Sequence, residues 1–267
     1  MARKQKQKQK QFIDGIYNYC DRWCERCPFT ERCRVYDMER EAMADEESRD
    51  PNNAAFWQAL AGILARTKEM LREAAAEQGI DIDTLDLTTE SARRRRVERQ
   101  VRSNKLTRDS ERYARRVQSW FKEHEPLLDE CAESFHSRLL MELPDDDPEA
   151  DAVALHDAAE VVRWYQFQIT VKLQRALDQD DEEELDDVSR AADEQDRDGS
   201  AKVALIGIDR SLAAWTVLRQ SLADEADTIL DLLLRLARLR EAVEHAFPQA
   251  RAFVRPGFDA PLANDLR

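Results

Sequence analysis

The chain has 267 residues, 36% of them charged, a formal net charge of −14 at pH 7 and six glycines. A chain of this length can bury a core of its own, and a charged, glycine-poor composition favours helix over strand. The acidic balance argues against a surface that attracts nucleic acid or anionic lipid as a whole. We therefore predict an all-α protein, an antiparallel bundle of long helices, to which an N-terminal cysteine-rich module is added.

The chain divides into four predicted parts. Residues 1–10 form a basic lead that we expect to be disordered, and residues 11–50 contain a cysteine-rich module and a short helix. Residues 51–247 carry the apolar periodicity of the helical bundle, with an acidic linker at 178–199, and residues 248–267 form a tail. The chain has no run of 18 apolar residues, so we expect no membrane span and a cytoplasmic location.

Four of the five cysteines lie close together in the segment YNYCDRWCERCPFTERC. If residues 16–27 are helical, three of these thiols share one face, and the fourth returns from a loop beyond a proline. In a reducing cytoplasm, crowded cysteines are better explained as metal ligands or redox groups than as disulfides. The four predicted ligands are Cys20, Cys24, Cys27 and Cys33.

An iron–sulfur cluster, such as a 4Fe-4S cluster, and a zinc ion both accept four thiolates. Structural zinc sites commonly combine two Cys-x2-Cys pairs, and this segment has one. The pattern Cys-x2-Cys-x5-Cys, with a cysteine upstream, resembles the cluster-binding segments of auxiliary domains in radical-SAM enzymes and of RecB-type iron–sulfur nucleases. The resemblance covers residues 20–33 and implies an iron–sulfur cofactor. The remaining chain has the pattern of neither enzyme core.

We accordingly expect a cytosolic helical metalloprotein whose iron–sulfur cluster serves redox chemistry or structural stability. A zinc-stabilised scaffold or adaptor protein is the first alternative, because four thiolates also suit zinc. A metal-free role for the cysteines is the second. The sequence has no phosphate-binding glycine loop and no nucleophile elbow, so it does not decide whether the protein is an enzyme.

Four helices are predicted between the cysteines and Pro144. A short polar helix precedes Pro51, and a long one runs from an asparagine cap to Gly79. A strongly basic helix follows Thr88, and a kink or a restart at Pro126 leads into a further helix that reaches Pro144. Apolar residues at helical spacing mark a buried face in the second half of the basic segment: Tyr113, Val117, Trp120 and Phe121.

The basic segment 93–116 supports two interpretations. It begins with Arg93, Arg94, Arg95 and Arg96, and positive charge around most of a helix is typical of nucleic-acid binding. We favour the other interpretation, in which the arginines pair with the acidic surface of the chain, of a second subunit in a homo-oligomer, or of a protein partner.

The most apolar helix is predicted at 149–178, and a helix that is apolar on most of its circumference is typically central in a bundle. The acidic segment after it should separate helices without packing. Two more helices are joined near Ser221, either as an antiparallel hairpin or as one bent helix. The tail contains a Pro-Gly turn and should lie along the surface.

Ionisable residues in the apolar helices are the candidates for a catalytic pocket. Asp209 has apolar neighbours at helical spacing, so we expect it to face the core and to need a partner. Glu160, Arg163 and Lys172 lie on the apolar helix and could meet it there. This set predicts an interhelical salt-bridge network first and a catalytic site second. The fifth cysteine, Cys131, is assigned to the core.

Overall fold

The computed structural model describes residues 11–77, 79, 81–82, 88–141, 146–178 and 187–259, without the side chains of 89–90, 128–129, 132 and 188. In these ranges the regular structure is entirely helical and contains no strand, which confirms the all-α prediction. The predicted disordered lead, residues 1–10, lies outside the described residues.

The described α-helices are α1 (Arg34–Ala42), α2 (Ala54–Glu77), α3 (Thr88–Ser103), α4 (Lys105–Glu123), α5 (Glu125–Met141), α6 (Pro148–Leu177), α7 (Asp187–Ser221) and α8 (Ala226–Ala246). Short 3-10 helices lie at Cys24–Arg26, Thr30–Arg32, Glu47–Arg49, Ala223–Glu225 and Ala250–Ala252. None of the described helices combines the length and the apolar content needed to cross a membrane.

The chain forms two compact units. Unit 1 contains the residues up to Arg94 together with those from Arg255 onward, and unit 2 contains Arg95–Val254. Unit 1 therefore holds the cysteine segment, α1, α2 and the C-terminal tail from Arg255 onward. Unit 2 holds the helices α4 to α8.

In unit 1, α2 has the predicted bounds. The side chain of Asn53 caps it by accepting a hydrogen bond from the Ala55 N–H at 3.0 Å. Gly79, just beyond the helix, has a φ of +75°, as a helix-terminating glycine should. The short polar helix was predicted to reach Pro51, but α1 ends at Ala42.

The core of unit 2 lies where α7 packs against α6 and α8, with α4 against α6 and α8. The indole N–H of Trp215 donates to the Tyr113 hydroxyl at 2.9 Å, and both side chains are at most 1% exposed. Trp120 packs edge-on against Trp215, with ring centroids 5.0 Å apart. The predicted buried face of the basic segment is confirmed, since Val117 and Phe121 are also buried.

The last two long helices are separate and run in opposite directions. The ammonium group of Lys202, in the first half of α7, donates to the Arg251 carbonyl at 3.3 Å, beyond the end of α8. Asp209, further along α7, forms ion pairs with Arg251 at 2.6 Å and with Arg240 at 3.5 Å. The hairpin alternative is therefore correct, and the single bent helix is not.

Three local predictions were wrong. The basic segment is not one helix, because Asn104 ends α3 and caps α4 by accepting from the Leu106 N–H at 2.9 Å. The acidic segment predicted to be a linker is helical from Asp187, and its Asp196 pairs with Arg175 of α6 at 2.8 Å. Its residues 179–186 lie outside the described ranges. Cys131 is half-buried and not a core residue.

The helix predicted to be central, α6, contacts α4, α5 and α7. Its apolar circumference is not fully covered in the described structure, since Phe167 is 50% and Val171 is 57% exposed. α6 and α7 approach each other closely at Gly207. A Cβ atom on residue 207 would lie 2.9 Å from Tyr165 Cδ1 and 3.1 Å from Ile169 Cγ1. The side chains of α6 therefore pack against the backbone of α7, which has no side chain at this position.

Replacing Gly207 by alanine tests this contact. Tyr165 and Ile169 are at most 1% exposed and have no room to move aside. We expect G207A to lower the free energy of unfolding by about 1–3 kcal/mol, measured by urea denaturation. G62A, on α2, is the matched control. A Cβ at residue 62 has no neighbouring atom within 4 Å, so this substitution should raise the free energy of unfolding by about 0.5–1 kcal/mol. Unchanged or increased stability of G207A would contradict the proposed close packing.

Candidate metal centre

The cysteine segment is built from turns, so the predicted helix over residues 16–27 was wrong. Arg22 has a φ of +59°, in the left-handed region that an α-helix cannot include. Two 3-10 turns follow, and each ends in a cysteine. The Cys27 N–H donates to the Cys24 carbonyl at 3.1 Å, and the Cys33 N–H donates to the Thr30 carbonyl at 3.2 Å.

These turns bring the four predicted ligands to one place. Cys20, Cys24, Cys27 and Cys33 all line a single cavity of about 20 Å³. A buried water needs roughly 10–15 Å³ on the same measure, so the cavity has room for one occupant of about that size. All four cysteines are free thiols, and each is half-buried.

The wall of the cavity is mostly apolar and aromatic. Ile16, Trp23 and Tyr36 line it from the segment around the cysteines, and Phe258 lines it from the C-terminal tail. Phe258 also meets Phe29 edge-on, with ring centroids 5.2 Å apart. Apolar walls of this kind exclude water from a metal–thiolate centre and so influence its potential and stability.

A turn in the tail positions Phe258. Gly257 has a φ of +76°, and a Cβ at this residue would lie 3.0 Å from Ile16 and 3.1 Å from Ile13. The turn thus sits directly against the cysteine segment. The sequence predicts this Pro-Gly turn, but with the tail along the surface, and it does not indicate that Phe258 belongs to the site. The local sequence pattern does not distinguish a tail that packs against the cysteine segment from one that lies along the surface.

One charged pair lies beside the thiols. The guanidinium group of Arg22 contacts the Glu39 carboxylate at 2.6 Å. Burial lowers the pKa of Arg22, but the hydrogen bond and charge of Glu39, with smaller contributions from Cys20 and Cys24, outweigh it and raise that pKa. The left-handed backbone of Arg22 holds this cation close to two of the sulfur atoms.

Neither Cys24 nor Cys27 is activated as a nucleophile. Burial raises the pKa of Cys24 to about 11, and the nearby charge of Arg22 offsets only part of this effect. Burial also raises the pKa of Cys27, although the Phe29 N–H donates to its Sγ at 3.4 Å and acts in the opposite direction. Reactive cysteines have a lowered pKa, so this arrangement is unlike that of a thiol enzyme.

The donor set is chemically suited to a metal, but a formed metal centre is not shown. Among the described residues, no three or more His, Cys, Asp or Glu side chains are arranged to hold a metal ion. Four sulfur atoms are nevertheless the ligand set that iron–sulfur clusters and structural zinc ions use. The cysteine ligation of either metal therefore stays a prediction.

The proposed catalytic set is not brought together around Asp209. Asp209 is 38% exposed instead of buried, and its partners are Arg240 and Arg251. Arg163 is exposed, with its guanidinium group 4.4 Å from the centre of the Phe121 ring. Glu160 is also exposed, whereas Lys172 is buried. The expected network failed because helical periodicity predicts the face of a residue and not which helix covers it.

The four arginines Arg93, Arg94, Arg95 and Arg96 lie on α3, where Arg93 is half-buried and the other three are exposed. Further along the basic segment, Arg112 pairs with Asp109 at 2.7 Å and Arg115 with Glu111 at 3.7 Å. Intramolecular pairing thus accounts for part of the predicted basic segment. Nucleic-acid binding by α3 stays a prediction.

Comparisons with protein-family models, curated protein sequences and solved structures find no match for this chain. The candidate function therefore depends on the geometry and chemistry of the site.

The raised pKa of Cys24 predicts slow alkylation of the reduced, metal-free protein. A thiol with a pKa of about 11 instead of 9.0 has far less thiolate at neutral pH. The stronger nucleophilicity of a more basic thiolate offsets part of this loss, so we expect Cys24 to react with iodoacetamide roughly tenfold more slowly than an unburied cysteine in a peptide.

Peptide mass spectrometry after timed alkylation measures this rate. The rate at Cys24 should continue to rise between pH 9 and about 11, because the folded protein holds the thiol protonated over that range. The rate for the peptide control levels off at lower pH. If Cys24 reacts at the rate of the peptide and with the same pH profile, the burial of this thiol is contradicted.

Proposed function

We propose that the protein binds an iron–sulfur cluster through Cys20, Cys24, Cys27 and Cys33. The observation that carries the proposal is that these four side chains line one cavity, although they come from separate turns of an irregular segment. A segment with so little regular structure gains most from a ligand that crosslinks its turns, since ligation stabilises the folded form over the unfolded one.

Three further features support ligation over other roles for the cysteines. The apolar wall, which includes Trp23 and Phe258, limits access of water to the sulfur atoms. The Phe29 N–H donates to the Sγ of Cys27, and hydrogen bonds to sulfur are among the groups that set the potential of a cluster. The raised pKa of Cys24 argues against a nucleophilic thiol.

Within this proposal, unit 2 is an antiparallel bundle of long helices that accompanies the metal module, and the protein works in a reducing compartment such as the cytoplasm. A bound cluster would supply one-electron redox chemistry or structural stability to unit 1. The residues of this chain would supply the thiolates, the apolar wall and the cationic Arg22 beside Cys20 and Cys24.

Anaerobic purification followed by iron and acid-labile sulfide analysis tests the proposal. We expect both elements in the wild-type protein, together with visible absorption, and we expect their loss in C24S and in C27S. C131S is the matched control, because Cys131 lies on α5 and does not line the cavity. Iron and sulfide retained in C24S and C27S, or lost equally in C131S, would contradict the proposed ligand set.

Zinc is the second candidate, and one observation favours it. The cavity of about 20 Å³ is close to the size of a single water-sized occupant, so a lone ion requires less rearrangement than a cluster with several iron and sulfide ions. Equimolar zinc without sulfide in the anaerobically purified protein would replace the iron–sulfur proposal with a zinc-stabilised scaffold.

The role of Phe258 gives a separate prediction. F258A removes the aromatic side chain that the tail contributes to the cavity, and water and oxygen then reach the thiolates more easily. We expect loss of visible absorbance in air to be faster by on the order of tenfold. V254A is the control, since Val254 is in the same segment and is 58% exposed. Equal rates of loss in F258A and wild type would show that Phe258 does not protect the centre.

A further inference from the structure

A second cavity lies between α4 and α8 in unit 2, with a volume of about 210 Å³. Both helices contribute side chains at helical spacing, so that one face of each lines the space. The lining residues are Lys105, Asp109 and Arg112 from α4 and Arg235, Arg238 and Leu239 from α8.

The charge of this lining is opposite to that of the protein. Four cations and one carboxylate surround the cavity, whereas the whole chain has a formal net charge of −14. Like charges held together around a small space repel one another, and an anion between them removes that repulsion.

The nearby carboxylates do not neutralise the cations one by one. Asp109 is shared between Lys105 and Arg112, the latter at 2.7 Å. Asp231, just outside the cavity lining, is likewise shared: it lies 2.7 Å from Arg235 and 4.0 Å from Arg116. Each of these acids thus faces two cations, and positive charge remains.

Arg238 carries the clearest excess charge. Within the described part of the chain, no carboxylate lies at ion-pair distance from its guanidinium group. The side chain is exposed, and it lines the cavity together with Arg235 one helical turn earlier. Two neighbouring guanidinium groups present the planar donor pairs that bind phosphate oxygens in a bidentate manner.

The first turn of α4 adds to this potential. Lys105 is the first residue of the helix, and Asn104 caps it by accepting from the Leu106 N–H at 2.9 Å. The remaining amide groups of the first turn give this end of the helix a partial positive charge. Because Lys105 lines the cavity, the positive end of α4 lies beside the arginines.

We propose that this α4/α8 cavity is a binding site for a small phosphate-bearing anion with several negative charges, such as a di- or triphosphate group. The volume of about 210 Å³ is below the roughly 300–1,000 Å³ of pockets that enclose drug-sized ligands. It accommodates a phosphate chain better than an entire nucleotide. Four cations match the charge of such a chain, whereas a singly charged anion would leave most of them unneutralised.

Isothermal titration calorimetry on the full chain at low salt tests the site, with inorganic tripolyphosphate as the probe. We expect saturable binding of tripolyphosphate that weakens as salt is added, and no comparable binding of citrate, a polyanion without phosphate. R238Q should weaken the affinity about tenfold, since it removes one bidentate donor.

R115Q is the matched control, because it removes the same charge from α4 at a position that does not line the cavity. We expect it to change the affinity less than about twofold. K105Q is a second test variant at a side chain that is 78% exposed, so it should fold even if R238Q does not. It should also weaken binding, and circular dichroism verifies that each variant is folded.

Three results would overturn the assignment. Absence of tripolyphosphate binding at low salt would remove the site, and equal weakening by R238Q and R115Q would show only diffuse attraction to positive surface. The same titration with a single-stranded oligonucleotide distinguishes the other source of phosphate. Binding of the oligonucleotide without binding of tripolyphosphate would replace the small-molecule proposal with nucleic-acid recognition.

Discussion

The packing of α7 against its neighbours is the interaction on which unit 2 depends. Along this one helix, Gly207 lets α6 approach closely, Trp215 donates to the buried Tyr113 hydroxyl of α4, and Asp209 pairs with Arg240 of α8. A polar group buried without a partner is costly, so the hydrogen bond between Trp215 and Tyr113 makes one arrangement of α4 and α7 preferable to others. The core is therefore specified by directional contacts as well as by apolar area.

Unit 1 has a different basis for its stability. None of the α2 residues is buried in the described structure, and the cysteine segment consists of turns. Its order comes from contacts among short segments, such as Gly257 against Ile16 and Phe258 against Phe29. Metal ligands must be deprotonated, so a metal bound by the four half-buried thiols would replace their protons. Ligation would then add to the stability of the folded form of this unit.

Charge is distributed unevenly in unit 2. The chain is strongly acidic, yet α4 and α8 place four cations around one small cavity. Carboxylates such as Asp109 lie near enough to reduce the repulsion, but they are shared among several cations. Repulsion among these cations lowers the stability of the folded protein. Attraction of an anion to one site depends on the charges near that site and not on the net charge of the chain.

By itself the sequence determined the helical class, the bounds of α2, the buried face of α4 and the group of candidate metal ligands, because these depend on neighbours within a few positions along the chain. The face of Tyr113 and Val117 and the cap at Asn53 were predictable for this reason. The tertiary structure alone decided that Phe258 lines the cysteine cavity, that Asp209 meets Arg251, and that α4 and α8 combine their cations. Such contacts join residues distant in the chain, and local periodicity does not specify which faces meet.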